Sequence, residues 1–205
     1  MTENAKLNGA DATLIITPYY VKPPQRALIQ HFTNIADTVD LPMILYNCPG
    51  RAGIDMIPET VQTISKHSNV IGIKDATGDL DRVKPLRELC GKDFLLYSGE
   101  DDQGREFVSL GGDGVISVTA NVCPALEHQM LLLASQGKTD EAEAINQILM
   151  PVHKNMFCES NPIPAKAALR IMGKIDTGIR PPLCQLDSKL EQTLIDALKS
   201  AKIEL

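Results

Sequence analysis

Lys74 ends the apolar run Val70-Ile71-Gly72-Ile73, and the next inward position of such a run is where an ammonium is costly to bury. Desolvation weakens the preference for the charged form and leaves a nucleophilic amine, able to form a Schiff base with a carbonyl compound. The same position also suits a lysine that leaves the sheet to pair with Asp75 or to snorkel to water. Tyr46 closes another apolar run, Pro42–Tyr46, where a phenol can relay protons to and from a carbinolamine. Tyrosine equally favours half-buried sheet positions with its hydroxyl at the wet end. Arg51 lies five residues further on, in Asn47-Cys48-Pro49-Gly50-Arg51-Ala52-Gly53, and offers a carboxylate a bidentate fork as readily as it sits in solvent. His31, His67, His128 and His153 are scattered and give a metal site little support, and Gly111-Gly112 lacks the context of a phosphate loop.

These residues must be held by something, and the runs themselves say what. Ala12–Thr17, Pro42–Tyr46, Val70–Ile73, Phe94–Tyr97 and Val115–Val118 are apolar without polar alternation, as strands covered on both faces are. Their starts are 30, 28, 24 and 21 residues apart, the length of a strand, a helix and two turns. Helical spacing fills the intervals, as in Leu28, Phe32 and Ile35, or Val61 and Ile64 in a helix expected to start at Pro58. The alternation predicts a parallel sheet or a (β/α) barrel, whose functional groups gather at the C-terminal strand ends. Thr17-Pro18-Tyr19-Tyr20, Tyr46-Asn47, Lys74-Asp75, Ser98-Gly99-Glu100 and Thr119-Ala120-Asn121 occupy those ends. Beyond about residue 122 helical windows follow one another over 125–135, 140–155, 164–172 and 189–202, the last with Ser188 and Glu191 at capping-box spacing. A partial (β/α) barrel over 1–137 and a C-terminal helical region over 138–205 are therefore expected.

Composition narrows the class. The 205 residues are 43% hydrophobic and 22% charged, which fits a globular chain rather than a disordered one. Lys plus Arg number 20 against 26 Asp plus Glu, a net charge of −6, so phosphate backbones and anionic membranes are poor partners and a small molecule is the better one. Five cysteines without a C-x-x-C pair argue against zinc and disulfide frameworks. The opening MTENAKLNGA lacks the pattern of a secretory leader, and no run approaches the roughly 18 apolar residues of a membrane span. A cytoplasmic location is expected.

Taken together, Tyr46-Asn47-x-Pro49-x-Arg51-x-Gly53, Gly72-Ile73-Lys74-Asp75-Ala76-Thr77-Gly78, Thr17-Pro18-Tyr19-Tyr20, the stretch 114–121 and Asn161-Pro162-Ile163-Pro164-Ala165-Lys166 resemble the dihydrodipicolinate synthase family of pyruvate-dependent class I aldolases. The resemblance runs over essentially the whole chain. It implies a (β/α)8 TIM barrel with a C-terminal helical extension, of which this chain would lack about the first three β/α units. It further implies that Lys74 forms the Schiff base with pyruvate, that Tyr46 relays protons, and that Tyr20 extends the relay across a tight dimer interface. Arg51 would hold the carboxylate of L-aspartate 4-semialdehyde. Gly99 and the backbone of Ile116 would line the pyruvate pocket, Asn161 would belong to the substrate-binding set, and Tyr19 matches a position in a lysine feedback site. The implied product is 4-hydroxy-tetrahydrodipicolinate, on the route to lysine and diaminopimelate, made without a metal or other cofactor by a homotetramer built as a dimer of dimers. Two alternatives stand beside this: another pyruvate-dependent aldolase or lyase, and an inactive shortened paralogue acting only as a subunit partner. A chain with five of eight strands is expected to be a poor enzyme by itself, because an unclosed barrel exposes edges and inner layers.

Overall fold

The computed structural model describes all residues, Met1–Leu205. In chain order the elements are α1 (Thr2–Leu7), β1 (Thr13–Ile16), α2 (Gln25–Thr38), β2 (Met43–Asn47), α3 (Pro49–Ala52), α4 (Pro58–Ile64), β3 (Val70–Asp75), α5 (Val83–Cys90), β4 (Leu95–Ser98), α6 (Gly104–Ser109), β5 (Gly114–Val115), α7 (Pro124–Ser135), α8 (Thr139–Asn155), α9 (Ile163–Ile171) and α10 (Ser188–Ser200). The chain divides into two compact units, Met1–Ile116 and Ser117–Leu205.

In the first unit the five strands form one sheet in the order β1-β2-β3-β4-β5, every neighbouring pair parallel. Parallel neighbours need a crossover, and each connection contains at least one helix. One face is the core. Leu45, Ile73 and Leu96, side by side in the register of β2, β3 and β4, are buried with Leu28 and Phe32 of α2, Val61 and Ile64 of α4, and Val83 and Leu86 of α5. Complete burial of a leucine, isoleucine or phenylalanine contributes roughly 1.5–3 kcal/mol, so this layer fixes the sheet against its helices. The opposite face is only half-buried. Ile44, Tyr46, Lys74, Leu95 and Tyr97 lie at intermediate exposure, so the runs read as doubly covered strands are sealed on one side and partly open on the other. Gly72 is required where β3 meets β4, because a Cβ there would stand 2.6 Å from the carbonyl oxygen of Leu95.

The first four apolar runs became strands within a few residues of their expected ends, and α4 begins at Pro58 as expected. The fifth is curtailed. Val115–Val118 was expected as strand, yet β5 is two residues long, because Val118 turns into the right-handed helical region and opens a 3-10 turn over Thr119–Asn121.

In the second unit α7–α10 match the four helical windows to within about two residues. Met130, Leu149, Val152, Met156, Ala168, Leu194 and Leu198 form its core. Buried among them, His153 Nδ1 lies 2.8 Å from Thr119 Oγ1, and its Nε2 lies 3.9 Å from the Glu127 carboxylate, a polar seam between the 3-10 turn, α7 and α8. The capping box expected at Ser188 and Glu191 does not form. Asp187 is the N-cap, its carboxylate accepting the Lys189 N–H at 2.9 Å, and Glu191 pairs instead with Arg170 of α9 at 3.1 Å. An aspartate one residue earlier caps as well as serine and adds a negative charge at the positive helix end.

Candidate active site

Four of the expected strand ends are stitched to one another by ladder bonds that continue past the strands. Thr17 N–H donates to the Tyr46 carbonyl at 3.0 Å, Ala76 N–H to Asn47 at 2.8 Å, Gly99 N–H to Asp75 at 2.7 Å and Ile116 N–H to Ser98 at 3.0 Å. Tyr46 and Lys74 therefore share a register row at the C-terminal edge of the sheet, with Gly99 and Ile116 two residues further along their strands than the members of that row on β4 and β5, Tyr97 and Gly114.

Tyr46 and Lys74 are direct register partners on the half-buried face, with Tyr97 beside Lys74 on β4. Lys74 Nζ stands 4.6 Å from the centre of the Tyr46 ring, the distance of a cation–π contact when the amine is charged. Burial lowers the Lys74 pKa, while Asp101, Cys48 and Glu100 pull it back up and Arg51 pushes it down. Asp75, the alternative partner for Lys74, points to the other face, and Arg82 and Thr77 bond its carboxylate. Tyr46 is pushed up to about 12, first by burial, then by a hydrogen bond with Cys48 and by the Glu100 carboxylate, with Arg51 acting in the opposite sense. It is a neutral phenol at any ordinary pH. Glu100 is itself raised, by burial and by Asp102 and Asp101. The set thus holds an amine poised toward its free form, a neutral hydroxyl that can both give and accept a proton, and an arginine in electrostatic reach.

Gly99 makes the space for the amine. A Cβ there would stand 2.9 Å from Lys74 Cε and 2.6 Å from Ala76 Cβ. The lysine tip can swing away but the alanine on its backbone cannot. Gly99→Ala is therefore expected to displace Lys74 and to lower the rate at which its amine forms an imine with a carbonyl compound by roughly 10²-fold, the cost of misplacing a reacting group by about 1 Å. Overpacking should also cost about 1–3 kcal/mol of stability. Stopped-flow trapping and a thermal melt measure the two, and an unchanged trapping rate would show that the glycine is there for the backbone alone.

The remaining expected residues are placed as follows. Arg51 is exposed on α3, a four-residue helix opened by Pro49 and closed by Gly53. Tyr19 and Tyr20 are 68% and 90% exposed, and Tyr20, at a φ of 72°, hooks its N–H onto the Ala52 carbonyl beside Arg51 at 3.3 Å. Ile116 is half-buried past β5. Asn161 lies in the second unit, half-buried just ahead of α9. A bonded cluster on the helix-facing side, with Asn47 and Asp75 buried, Arg82 largely so and Asp55 partly exposed, escaped the sequence reasoning. Arg82 is 35 residues from Asn47 and belongs to none of the motifs singled out in the sequence.

Solved structures resemble this chain over nearly its whole length. Dihydrodipicolinate synthase from Acinetobacter baumannii, solved in complex with pyruvate, superposes with a TM-score of 0.96 at 46% identity over 98% of this chain and 69% of that one. Fold and site together define the class: a parallel β/α protein of the TIM-barrel, class I aldolase type. The sequence profile of the Dihydrodipicolinate synthetase family matches residues 1–201, and the chain belongs to that family. Among curated relatives, the 4-hydroxy-tetrahydrodipicolinate synthases of Pseudomonas aeruginosa and Alcanivorax borkumensis are 52% and 50% identical, over 99% and 97% of this chain and 70% and 68% of their own lengths.

Proposed function

We propose that this protein condenses pyruvate with L-aspartate 4-semialdehyde to give 4-hydroxy-tetrahydrodipicolinate, a lyase step on the way to diaminopimelate and lysine. The observation that carries the chemistry is the register pairing of the half-buried Lys74 with Tyr46 at the C-terminal edge of a parallel sheet, Nζ lying 4.6 Å from the centre of the Tyr46 ring, where burial also disfavours the charged amine. The family and its synthases at about half identity carry the substrate assignment.

Lys74 attacks the ketone carbon of pyruvate, and loss of water from the carbinolamine gives the imine. The imine acidifies the methyl group, which loses a proton and adds through its carbon to the aldehyde, whose oxygen takes up a proton as the hydroxyl; the amino group of the semialdehyde then attacks the imine carbon and expels the Lys74 amine, closing the ring and freeing the enzyme. Tyr46 shuttles the protons of carbinolamine collapse as a neutral hydroxyl, receiving one as it gives another. No resident cofactor is needed for this sequence, because the imine nitrogen is the electron sink. Gly99 and the Ile116 backbone line the pyruvate pocket, Asn161 joins the substrate-binding set, Tyr20 completes the relay of a neighbouring subunit, and Tyr19 belongs to a lysine-responsive surface. The proposal includes a homo-oligomer, a dimer of dimers in the cytoplasm. It also takes 1–137 as a barrel portion corresponding to the last five of eight β/α units and 138–205 as the helical extension. No helix is long and apolar enough to cross a membrane.

Steady-state turnover of pyruvate with aspartate semialdehyde tests the assignment directly. Condensation with a different aldehyde only would favour another aldolase, and no turnover beside intact folding would favour a subunit partner. Arg51 distinguishes substrate roles. Arg51→Ala is expected to raise KM for aspartate semialdehyde and lower kcat/KM by about 1.5–3 kcal/mol, the worth of a hydrogen bond to a charged group, while pyruvate trapping persists. An unchanged semialdehyde dependence would remove Arg51 from the site.

A further inference from the structure

Asn47 and Asp75, the residues after Tyr46 and Lys74, point to the opposite face of the sheet, and both are buried there. Arg82, in the turn between β3 and α5 and only 12% exposed along its side chain, reaches both of the segments that surround them. Its Nε donates to Asp75 Oδ2 at 3.2 Å, its Nη1 to Asp55 Oδ2 at 3.1 Å and its Nη2 to the Met56 carbonyl at 2.7 Å. Asn47 closes the ring, its Nδ2 donating to Asp55 Oδ1 at 2.8 Å and its Oδ1 accepting the Met56 N–H at 3.0 Å. The second oxygen of Asp75 accepts the Thr77 N–H at 2.9 Å and the Thr77 hydroxyl at 2.5 Å.

One guanidinium therefore ties the end of β3 to the segment that leads from α3 to α4, and Asn47 brings the end of β2 into the same bond set. The two strand ends carry Lys74 and Tyr46, and the tied segment follows directly on α3, which carries Arg51. We infer that Arg82 is a positioning residue for the reaction proposed above, acting from the far side of the sheet through the backbone of Asn47 and Asp75; the inference rests on that functional reading. The physical grounds are specific. Adjacent residues of a strand share one backbone, so a shift at Asn47 or Asp75 is passed undamped to Tyr46 or Lys74. Arginine alone among the side chains offers a flat fork with donors on all three nitrogens, and lysine keeps the charge without the fork. Asp75 and Asp55 would otherwise face each other as two carboxylates around Asn47, so the cation also holds the loop down. A displacement of about 1 Å between reacting groups costs about 10²-fold in rate, which sets the size of effect to expect.

The test uses Arg82→Met and Arg82→Lys in the full chain, with Asp55→Asn as a milder cut of the same bond set at a partly exposed carboxylate. Site concentration is read by mass spectrometry as the fraction of Lys74 carrying a borohydride-reduced pyruvate adduct at saturation, and kcat and KM are then expressed per site. Arg82→Met is expected to lower kcat per site about 10²-fold with KM for pyruvate changed less than about threefold, and Arg82→Lys to recover only part of the loss. If Arg82→Met does not melt cooperatively, Asp55→Asn carries the test, with an expected loss of about tenfold per site. A folded Arg82→Met, or failing that Asp55→Asn, with unchanged kcat per site overturns the positioning role. So does a loss matched entirely by fewer adduct-forming sites, since that is stability alone. An unsubstituted protein that forms no adduct at Lys74 overturns the proposed function, and this inference with it, before any variant is made.

Discussion

Incubating the protein with pyruvate and borohydride is expected to add one reduced pyruvyl group to the peptide that contains Lys74, and Lys74→Ala is expected to abolish both the label and turnover. The effect should be on the order of 10⁶-fold in kcat, the scale of removing a covalent nucleophile. Lys74→Arg should be no better, because a guanidinium stays protonated and forms no imine under these conditions. The pH dependence sharpens the assignment. Burial lowers the Lys74 pKa, so the free amine is populated at lower pH than in an exposed lysine, whose pKa is about 10.4. The trapping rate should thus rise with pH and level off below the range in which ordinary lysines titrate. Label on Lys166, which stands in the Asn161–Lys166 motif of the second unit, or on no lysine at all, would refute the assignment. A plateau no lower than that of a surface lysine would mean that desolvation is not what activates the amine.

Why Lys74 was legible and Arg82 was not is a matter of range. Lys74 announces itself within five residues, as a charge directly after Val70-Ile71-Gly72-Ile73, and the strand that run predicts is present as β3. The β-α alternation was legible for the same reason, since each strand and helix leaves its own local period. Two local signals still misled. Val115–Val118 is as apolar as the other runs, but a ladder needs partners as well as hydrophobicity, and β5 has one neighbour in the sheet and turns away after two residues. Ser188 and Glu191 had the right spacing for a cap, yet Asp187 stood one residue nearer the chain's entry and took the role. The buried ring around Arg82 has no period at all. Asn47, Asp55, Asp75 and Arg82 are brought together by the parallel crossovers; Asn47 and Asp75 stand at strand ends the sequence marks, but Asp55 and Arg82 look like any polar residues at the edge of an element. Local patterns mark residues at strand ends, on whichever face they fall; that Arg82 and Asp55 join Asn47 and Asp75 behind the sheet is fixed only by the fold.

Tyr46→Phe isolates the proton relay from the packing. The phenyl ring retains the face on which Lys74 Nζ rests at 4.6 Å, so the lysine keeps its support and only the hydroxyl is lost. General acid–base assistance is worth typically 10²–10⁴-fold, and a fall in kcat of that size is expected with little change in KM for pyruvate. Imine formation should slow as well, because carbinolamine dehydration needs a proton delivered to the departing hydroxyl. The phenol's pKa of about 12 decides how the pH profile should look. A tyrosine that far above neutrality never ionises in the working range, so the variant should lose rate evenly across pH 6–9 without moving either limb of the profile. If instead Tyr46→Phe removed a limb, the hydroxyl would be acting as a phenolate base and the environment that raises its pKa would have been misjudged. If kcat and the trapping rate both stayed within a factor of two of the unsubstituted protein, the relay would have to pass through another group, and Cys48, whose thiol helps raise the pKa of the same phenol, would be the first to examine by Cys48→Ala.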